Sequence, residues 1–380
     1  MAFNIQDFAS KLKKRKADLD LSFDALAAAT GISVESLRAY EEAAKQPSGD
    51  EILILADFFR CDYRYFVAED APDPFENSSI LFRAYSEELS GEDRRAVNEF
   101  LFLCDCEEFL FTQLGKQRSP FSVELSGNYY KGHGHKAAQA LRERLDYADN
   151  VIPHDVFKDF RQIGLHVFRR KLSNDKISGL FIHHPIAGRC VLVNYDEDLY
   201  RQRFTAAHEC CHAILDVDEE FGISFGTNSN DLREVRANAF ASHYLLPAKF
   251  LEKLPDPKTW TEEQIVDWAN KMKVSTWALS IALKESGLID ASEAAHMQQV
   301  RVPNELKTDP ELGMNLSPKR QRMKLELLER GLSDHYVGLC FEAHQQGLIS
   351  AGRLAETLLV DGSLLQEIAQ LYGRSLSYGD

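Results

Sequence analysis

The sequence predicts a mostly helical α+β chain, with an all-α N-terminal domain, a central domain holding a small β-sheet, and a helical C-terminal segment. Three observations predict it. Helical periodicity with start and stop signals recurs along most of the chain. Strand-like runs are confined to three short stretches between residues 165 and 194. The length of 380 residues exceeds one ordinary core, at about 100–200 residues per domain.

Composition narrows the class. Hydrophobic residues make up 44% and aromatics 10%, as in a folded globular protein. No stretch approaches the ~18 apolar residues that span a bilayer, so a cytoplasmic protein without membrane contact is expected. Seven scattered cysteines, an odd number without a repeating spacing, read as reduced thiols. A net charge of −15 opposes binding of the whole molecule to a polyanion, so nucleic-acid contact would need a local basic patch. There is no fixed internal repeat.

Residues 1–70 read as short helices. An amphipathic opening through Phe8, Leu12 and Leu19 is followed by Ser22 to Thr30, the turn Gly31-Ile32-Ser33, and a helix from Val34 to about Ala44 that Ser33 caps. Pro47 and Gly49 stop that helix before the apolar Glu51 to Phe59. Asp70 to Ser79 is broken by prolines and reads as an exposed linker. Ser90 to Asp93 resembles a capping box opening a long helix to about Leu114. Its apolar side needs a partner, either the next domain or a second chain in a homodimer. Residues 71–130 thus form a linker and long helix.

The central domain is expected over 131–290. Gly115 to Gly134 is loop-like, Lys136 to Leu145 helical, and Leu165–Phe168, Leu180–His183 and Cys190–Asn194 extended. Helices are predicted over Phe204–Leu215, Asp231–Leu246, Glu262–Met272 and Ser275–Glu285, the last pair with helix-turn-helix spacing but apolar enough to be core. Residues 290–318 are polar, proline-interrupted and linker-like, and helix resumes from Ser333 to about Tyr372, so 291–380 is a linker and helical region.

The chemistry lies in Ala207-His208-Glu209-Cys210-Cys211-His212. On a helix, His208 and His212 fall about 40° apart around the axis, so both imidazoles reach one ion. Glu209 lies about 100° from His208, able to touch a water on that ion without taking a ligand position. Zinc suits nitrogen and carboxylate ligands and keeps an open position when the protein supplies three. Glu234, on the next helix, is the best candidate for the third. His243, nine residues beyond it and about 180° round the helix, should not share the ion.

At these residues the chain resembles the ImmA/IrrE metallopeptidases, a gluzincin-like family. The likeness runs over roughly 130–290, through Gly164, Ile177-Ser178-Gly179, Val193-Asn194, Arg203 to His212, Glu234 to Ala241 and Leu245-Leu246-Pro247. It implies Zn2+ held by His208, His212 and Glu234, and a zinc endopeptidase activity with Glu209 as the catalytic base. The family usually has Leu-Gly where this chain has Cys210-Cys211. The two read as small buried residues, with a redox-sensitive or zinc-contacting thiol as the alternative.

Residues Phe23 to Glu42, with Gln46-Pro47-Ser48 after them, resemble the XRE helix-turn-helix family. That likeness implies double-stranded DNA as a partner, with Ser33, Glu35, Ser36 and Arg38 facing the major groove. Against it, residues 1–70 hold nine Lys/Arg and thirteen Asp/Glu, and Lys11, Lys13, Lys14, Arg15 and Lys16 are the only basic cluster. A protein-binding role for the same fold is the alternative. The combined expectation is a regulator that cleaves a repressor or other regulatory protein, or itself near residues 70–79. The rival is a DNA-binding transcription factor whose peptidase-like domain is a non-catalytic sensor.

Overall fold

A computed structural model describes residues 3–68, 73–127, 129–225, 231–312 and 316–376. The chain is α+β. Its N-terminal part is five helices: α1 (Ile5–Asp18), α2 (Phe23–Thr30), α3 (Val34–Glu41), α4 (Gly49–Phe59) and α5 (Arg64–Val67). Each long start has a side-chain cap, with Ser33 accepting from the Ser36 amide and Ser48 forming a capping box with Glu51. Gly31, at φ 73, makes the left-handed turn between α2 and α3 that a side chain would strain. Phe8, Leu12, Leu26, Leu37, Leu55, Phe59 and Phe66 fill the space between the helices.

Four of the five cations of the expected basic cluster are paired from within, all but the exposed Lys13. Lys11 pairs with Asp7 at 2.6 Å, Lys14 with Asp73 at 2.7 Å and Lys16 with Glu41 at 2.8 Å. Arg15 is fully buried, 2.9 Å from Asp18, with its guanidinium stacked 3.8 Å over the Phe75 ring.

The expected linker Asp70 to Ser79 is corrected over its second half. Residues 69–72 lie outside the described residues, but helix α6 (Glu76–Ala84) begins before Ser79, and Ser78 and Ser79 are buried. Tertiary contacts override the turn-forming composition: Ser79 donates to Asp18 at 2.6 Å, and Asn77 donates to the His183 carbonyl. Helix α7 (Gly91–Gln113) follows from its Ser90–Asp93 capping box.

The central part contains α8 (Tyr130–Arg144), α9 (Val156–Gln162), β1 (His166–Arg170), β2 (Ile177–His184), β3 (Gly188–Asn194), α10 (Leu199–Leu215), β4 (Phe221–Phe225) and α11 (Leu232–Leu245). The sheet order is β1-β3-β2-β4, with β1 and β3 parallel and the other pairs antiparallel. Both faces are covered, α10 packing on one and α7 on the other, which is why β3 reads as an unbroken apolar run. Gly134 lets α8 and α11 approach closely, because a Cβ there would lie 2.4 Å from the Arg236 carbonyl oxygen.

Short helices α12 (Ala248–Leu251), α13 (Glu262–Met272), α14 (Thr276–Glu285) and α15 (Ala291–Met297) close this part, followed by α16 (Pro318–Glu329), α17 (Asp334–Gln345), α18 (Ala351–Thr357) and α19 (Gly362–Leu371). The segment expected as a second linker is instead partly helical and pinned. Glu311, 6% exposed, bridges Arg161 at 2.6 Å and Arg169 at 2.7 Å, and Asp309 holds Arg169 from the other side at 2.7 Å. The apolar side of α7 finds its partner inside the chain. Phe100 packs edge-on to Phe168 of β1, which packs edge-on to Tyr336 of α17.

Burial pushes the Glu311 carboxyl up, but Arg161 and Arg169 outweigh it and hold it down at about 2. A depressed carboxyl stabilises the fold above its ordinary value near 4.5, and that stability is lost as pH falls towards 2. Glu311→Ala leaves two buried guanidinium groups short of an anion and is expected to cost about 3–5 kcal/mol. Denaturant melts at pH 7 and pH 3 check this: the gap between wild type and variant should narrow at pH 3. An equal gap at both values would show that the carboxylate charge is not what pins the segment.

Candidate metal centre

Helix α10 carries the HExxH run and starts five residues earlier than its apolar pattern suggested, because the Asp198 side chain accepts from the Tyr200 amide. It is also anchored at mid-length. The buried Arg203 guanidinium donates to the carbonyls of Pro153, His154 and Lys273 at 2.6–3.0 Å. This fixes the helix axially and leaves its next turn to face α11.

There the geometry brings three predicted residues together. The Nε2 atoms of His208 and His212 lie 3.1 Å apart. Glu234, from α11, places one carboxylate oxygen 3.2 Å from His208 Nε2 and the other 3.3 Å from His212 Nε2. Among the described residues this is the one group of three such side chains placed to hold an ion. His243 faces elsewhere, stacked on His135 at 4.5 Å.

The two imidazoles are oriented from behind. His208 Nδ1 meets the Asn238 amide oxygen at 3.1 Å and His212 Nδ1 meets the Asp216 carboxylate at 2.6 Å. Both partners are acceptors, so each Nδ1 carries its proton and each Nε2 turns a lone pair towards the shared point. Arg236 in turn pairs with Asp216, and Phe181 of β2 stacks parallel to the His212 ring at 5.5 Å. For tetrahedral coordination with bonds of about 2.0–2.1 Å, ligand atoms stand roughly 3.3 Å apart. The observed spacings and the N, N, O donor set fit zinc.

Glu209 is 0% exposed, and neither carboxylate oxygen has a hydrogen-bond partner of good geometry, although the Ser224 hydroxyl stands close by. Burial pushes its carboxyl up, against the pull of His208 and His212. An ionisable group left bare in a core is costly unless something occupies the space in front of it. The sheet approaches it at Gly179, where a Cβ would lie 2.7 Å from Thr205 Cγ2 and 3.1 Å from Glu209 Cγ.

Cys210 and Cys211 are both fully buried, and burial pushes both thiols up, keeping them protonated. Neither sulfur belongs to the ligand cluster. At α3 and its cap, Ser33, Glu35 and Arg38 are exposed and Ser36 is half-buried. Arg38 lies 4.6 Å over the Phe23 ring.

Sequence reasoning missed Asp216, Asn238, Phe181 and Ser224. Two had a signal: Asp216 is four residues after His212 and Asn238 four after Glu234, each on the same helical face as the ligand it follows. Phe181 and Ser224 come from strands that only the sheet topology brings to α10.

Residues 160–284 match the peptidase family described as the IrrE N-terminal-like domain, and residues 12–66 match the helix-turn-helix family. No curated protein matches the chain at a significant level. The resemblances drawn from the residues therefore hold for both parts: a metallopeptidase-like domain of ImmA/IrrE type and a helix-turn-helix of the XRE type, a DNA-binding class. Together they make a regulator with a protease-like domain. Among the described residues, no helix is long and apolar enough to cross a membrane.

Purified protein is expected to hold about one zinc per chain. His208→Ala and His212→Ala should each lose it, and Asn238→Ala should weaken it about 10–100-fold through the loss of imidazole orientation. Metal analysis after dialysis against a graded chelator reads all three. Zinc retained at wild-type level in both histidine variants would remove the assignment.

Proposed function

We propose that the central domain is a zinc endopeptidase in which His208, His212 and Glu234 hold the ion and Glu209 is the general base. The observation that carries this reading is Glu209 itself, a wholly buried carboxylate with both oxygens unpartnered beside two inward-facing imidazole Nε2 atoms. A buried carboxylate with a purely structural role is normally held by well-formed hydrogen bonds. Bound zinc supplies a Lewis acid for the scissile carbonyl and lowers the pKa of water to about 7. Glu209 takes the proton of the attacking water and returns it to the departing amine. His208 and His212 keep their protons at Nδ1 throughout, held by Asn238 and Asp216.

The substrate we propose is a protein, a repressor or another regulatory factor, presented as an extended segment that adds to the sheet edge. Self-cleavage between residues 76 and 79 would first require α6 to unfold. The N-terminal domain places the enzyme at double-stranded DNA through Ser33, Glu35, Ser36 and Arg38 of α3 and its cap. Apart from Lys13, its basic run is already paired with acids, so it adds little net charge for phosphate contact.

Glu209→Gln is the test of the chemistry. The amide fills the same space, so zinc content and melting temperature should match wild type, while cleavage falls by at least 10²–10⁴-fold. A Glu209→Gln strain whose protein fragments and gene expression equal wild type under every inducing condition would leave only the sensor reading.

The DNA assignment is tested separately. Binding across the chain's own promoter should show a protected site whose affinity falls as salt rises, with a shallow slope because few cations on this domain are free for phosphate contact. Arg38→Ala should abolish the protection. No shift at low salt would favour a protein partner for the same helices.

A further inference from the structure

Helix α6 packs on the sheet face opposite α10, against β2 and β4, with Leu81 and Phe82 in one cluster with Leu180, Ile182 and Ile223. Strand β4 is the edge of that sheet. In its antiparallel pairing with β2, the His183 amide donates to the Glu220 carbonyl. The same register makes Phe181–Gly222 and Gly179–Ser224 the hydrogen-bonded pairs. Leu180 and Ile223 form the intervening pair, so the N–H and C=O of Ile223 point to the outer edge. The next side chain, Ser224, turns towards Glu209. Ile223 is therefore where an extended peptide added to β4 would hydrogen-bond beside the candidate base.

Tyr85 already stands there. It ends α6, with its ring 6.0 Å from Phe225 and its hydroxyl against the Ile223 amide. The strap is fastened on the sheet side, where Asn77 donates to the His183 carbonyl, His184 Nε2 meets the Pro74 carbonyl at 2.9 Å and Asn174 donates to the Glu88 carbonyl at 2.7 Å. It is fastened on the helix-turn-helix side too. Ser79 donates to the Asp18 carboxylate at 2.6 Å at the end of α1, and Arg94 of α7 links the Asp18 carbonyl at 3.2 Å to the Ser86 and Leu89 carbonyls that follow α6.

We infer that α6 is an autoinhibitory strap whose terminal Tyr85 covers the outer edge of β4 where a substrate strand would pair, and that α1 of the helix-turn-helix holds it closed. The inference rests on the peptidase reading above. A partner that shifts α1 draws on Ser79, lifts α6 and bares the Ile223 edge, so occupancy of the N-terminal domain controls access to the metal centre.

The test uses the full zinc-loaded chain in four forms: wild type, Tyr85→Ala, Tyr85→Phe and Ser79→Ala. Tyr85→Phe keeps the ring on Phe225 and removes only the hydroxyl. Ser79→Ala loosens the strap away from the metal. Two readouts are taken, turnover of fluorescently labelled casein and affinity for a peptidyl hydroxamate, which reports access without chemistry. Tyr85→Ala should raise kcat/KM and tighten hydroxamate binding at least tenfold, with smaller changes of the same sign in the other two. Tighter hydroxamate binding without casein turnover in any form supports the strap and removes the peptidase reading. Unchanged affinity and turnover across the set overturn the strap and leave the peptidase. A fall in kcat for Tyr85→Phe without tighter binding also overturns it, and assigns the hydroxyl to catalysis.

Discussion

A four-stranded sheet with apolar side chains on both faces has to be covered twice, and the rest of this structure follows from how that is done. On one face the cover is α10, whose ligand-bearing turn is pressed so close at Gly179 that no side chain fits between. On the other it is α7, backed by α17. The first contact sets the position of Glu209 and the ring plane of His212. The second ties the regions before and after the central part into one hydrophobic cluster with the sheet. Site geometry and long-range connectivity are two sides of one layer.

Buried charge fixes which segments meet. Glu107 of α7, almost wholly enclosed, contacts His166 of β1 at 2.6 Å and His335 of α17 at 3.1 Å. Glu311 does the same for α9 and β1, and Asp18 joins Arg15 to Ser79. Such pairs gain little net stability over apolar packing, because desolvation offsets attraction, but each alternative pairing would strand an ion. They select one arrangement of helices that apolar contacts alone would leave interchangeable.

Much of the site was legible in the sequence because helical geometry is local. The four-residue spacing of His208 and His212 says which face they share, whatever surrounds them. Helix starts were legible for the same reason at Ser33 and Ser90, while the Ser48 capping box that opens α4 at Gly49 was missed. What could not be read was set by distant partners. Strand β4 is five residues with a glycine, too short for its alternation to count until β2 pairs with it. Helix α6 sits in a proline- and serine-rich stretch that would loop in isolation. The segment around Glu311 looked like polar linker because the two arginines that bury it lie more than a hundred residues earlier. Tyr85 carried no signal, since its place at the edge of β4 is a product of topology.

The pairing of the basic run on α1 with Asp7, Asp18, Glu41 and Asp73 bears on how the N-terminal domain meets a partner. A face whose cations, Lys13 apart, are spent internally projects little field beyond the Debye length of about 8 Å at physiological ionic strength. Encounter is then unsteered, at about 10⁵–10⁶ per molar per second, rather than drawn in by charge. A domain of this kind does not scan polyanions from afar. Its occupancy follows the local supply of its partner.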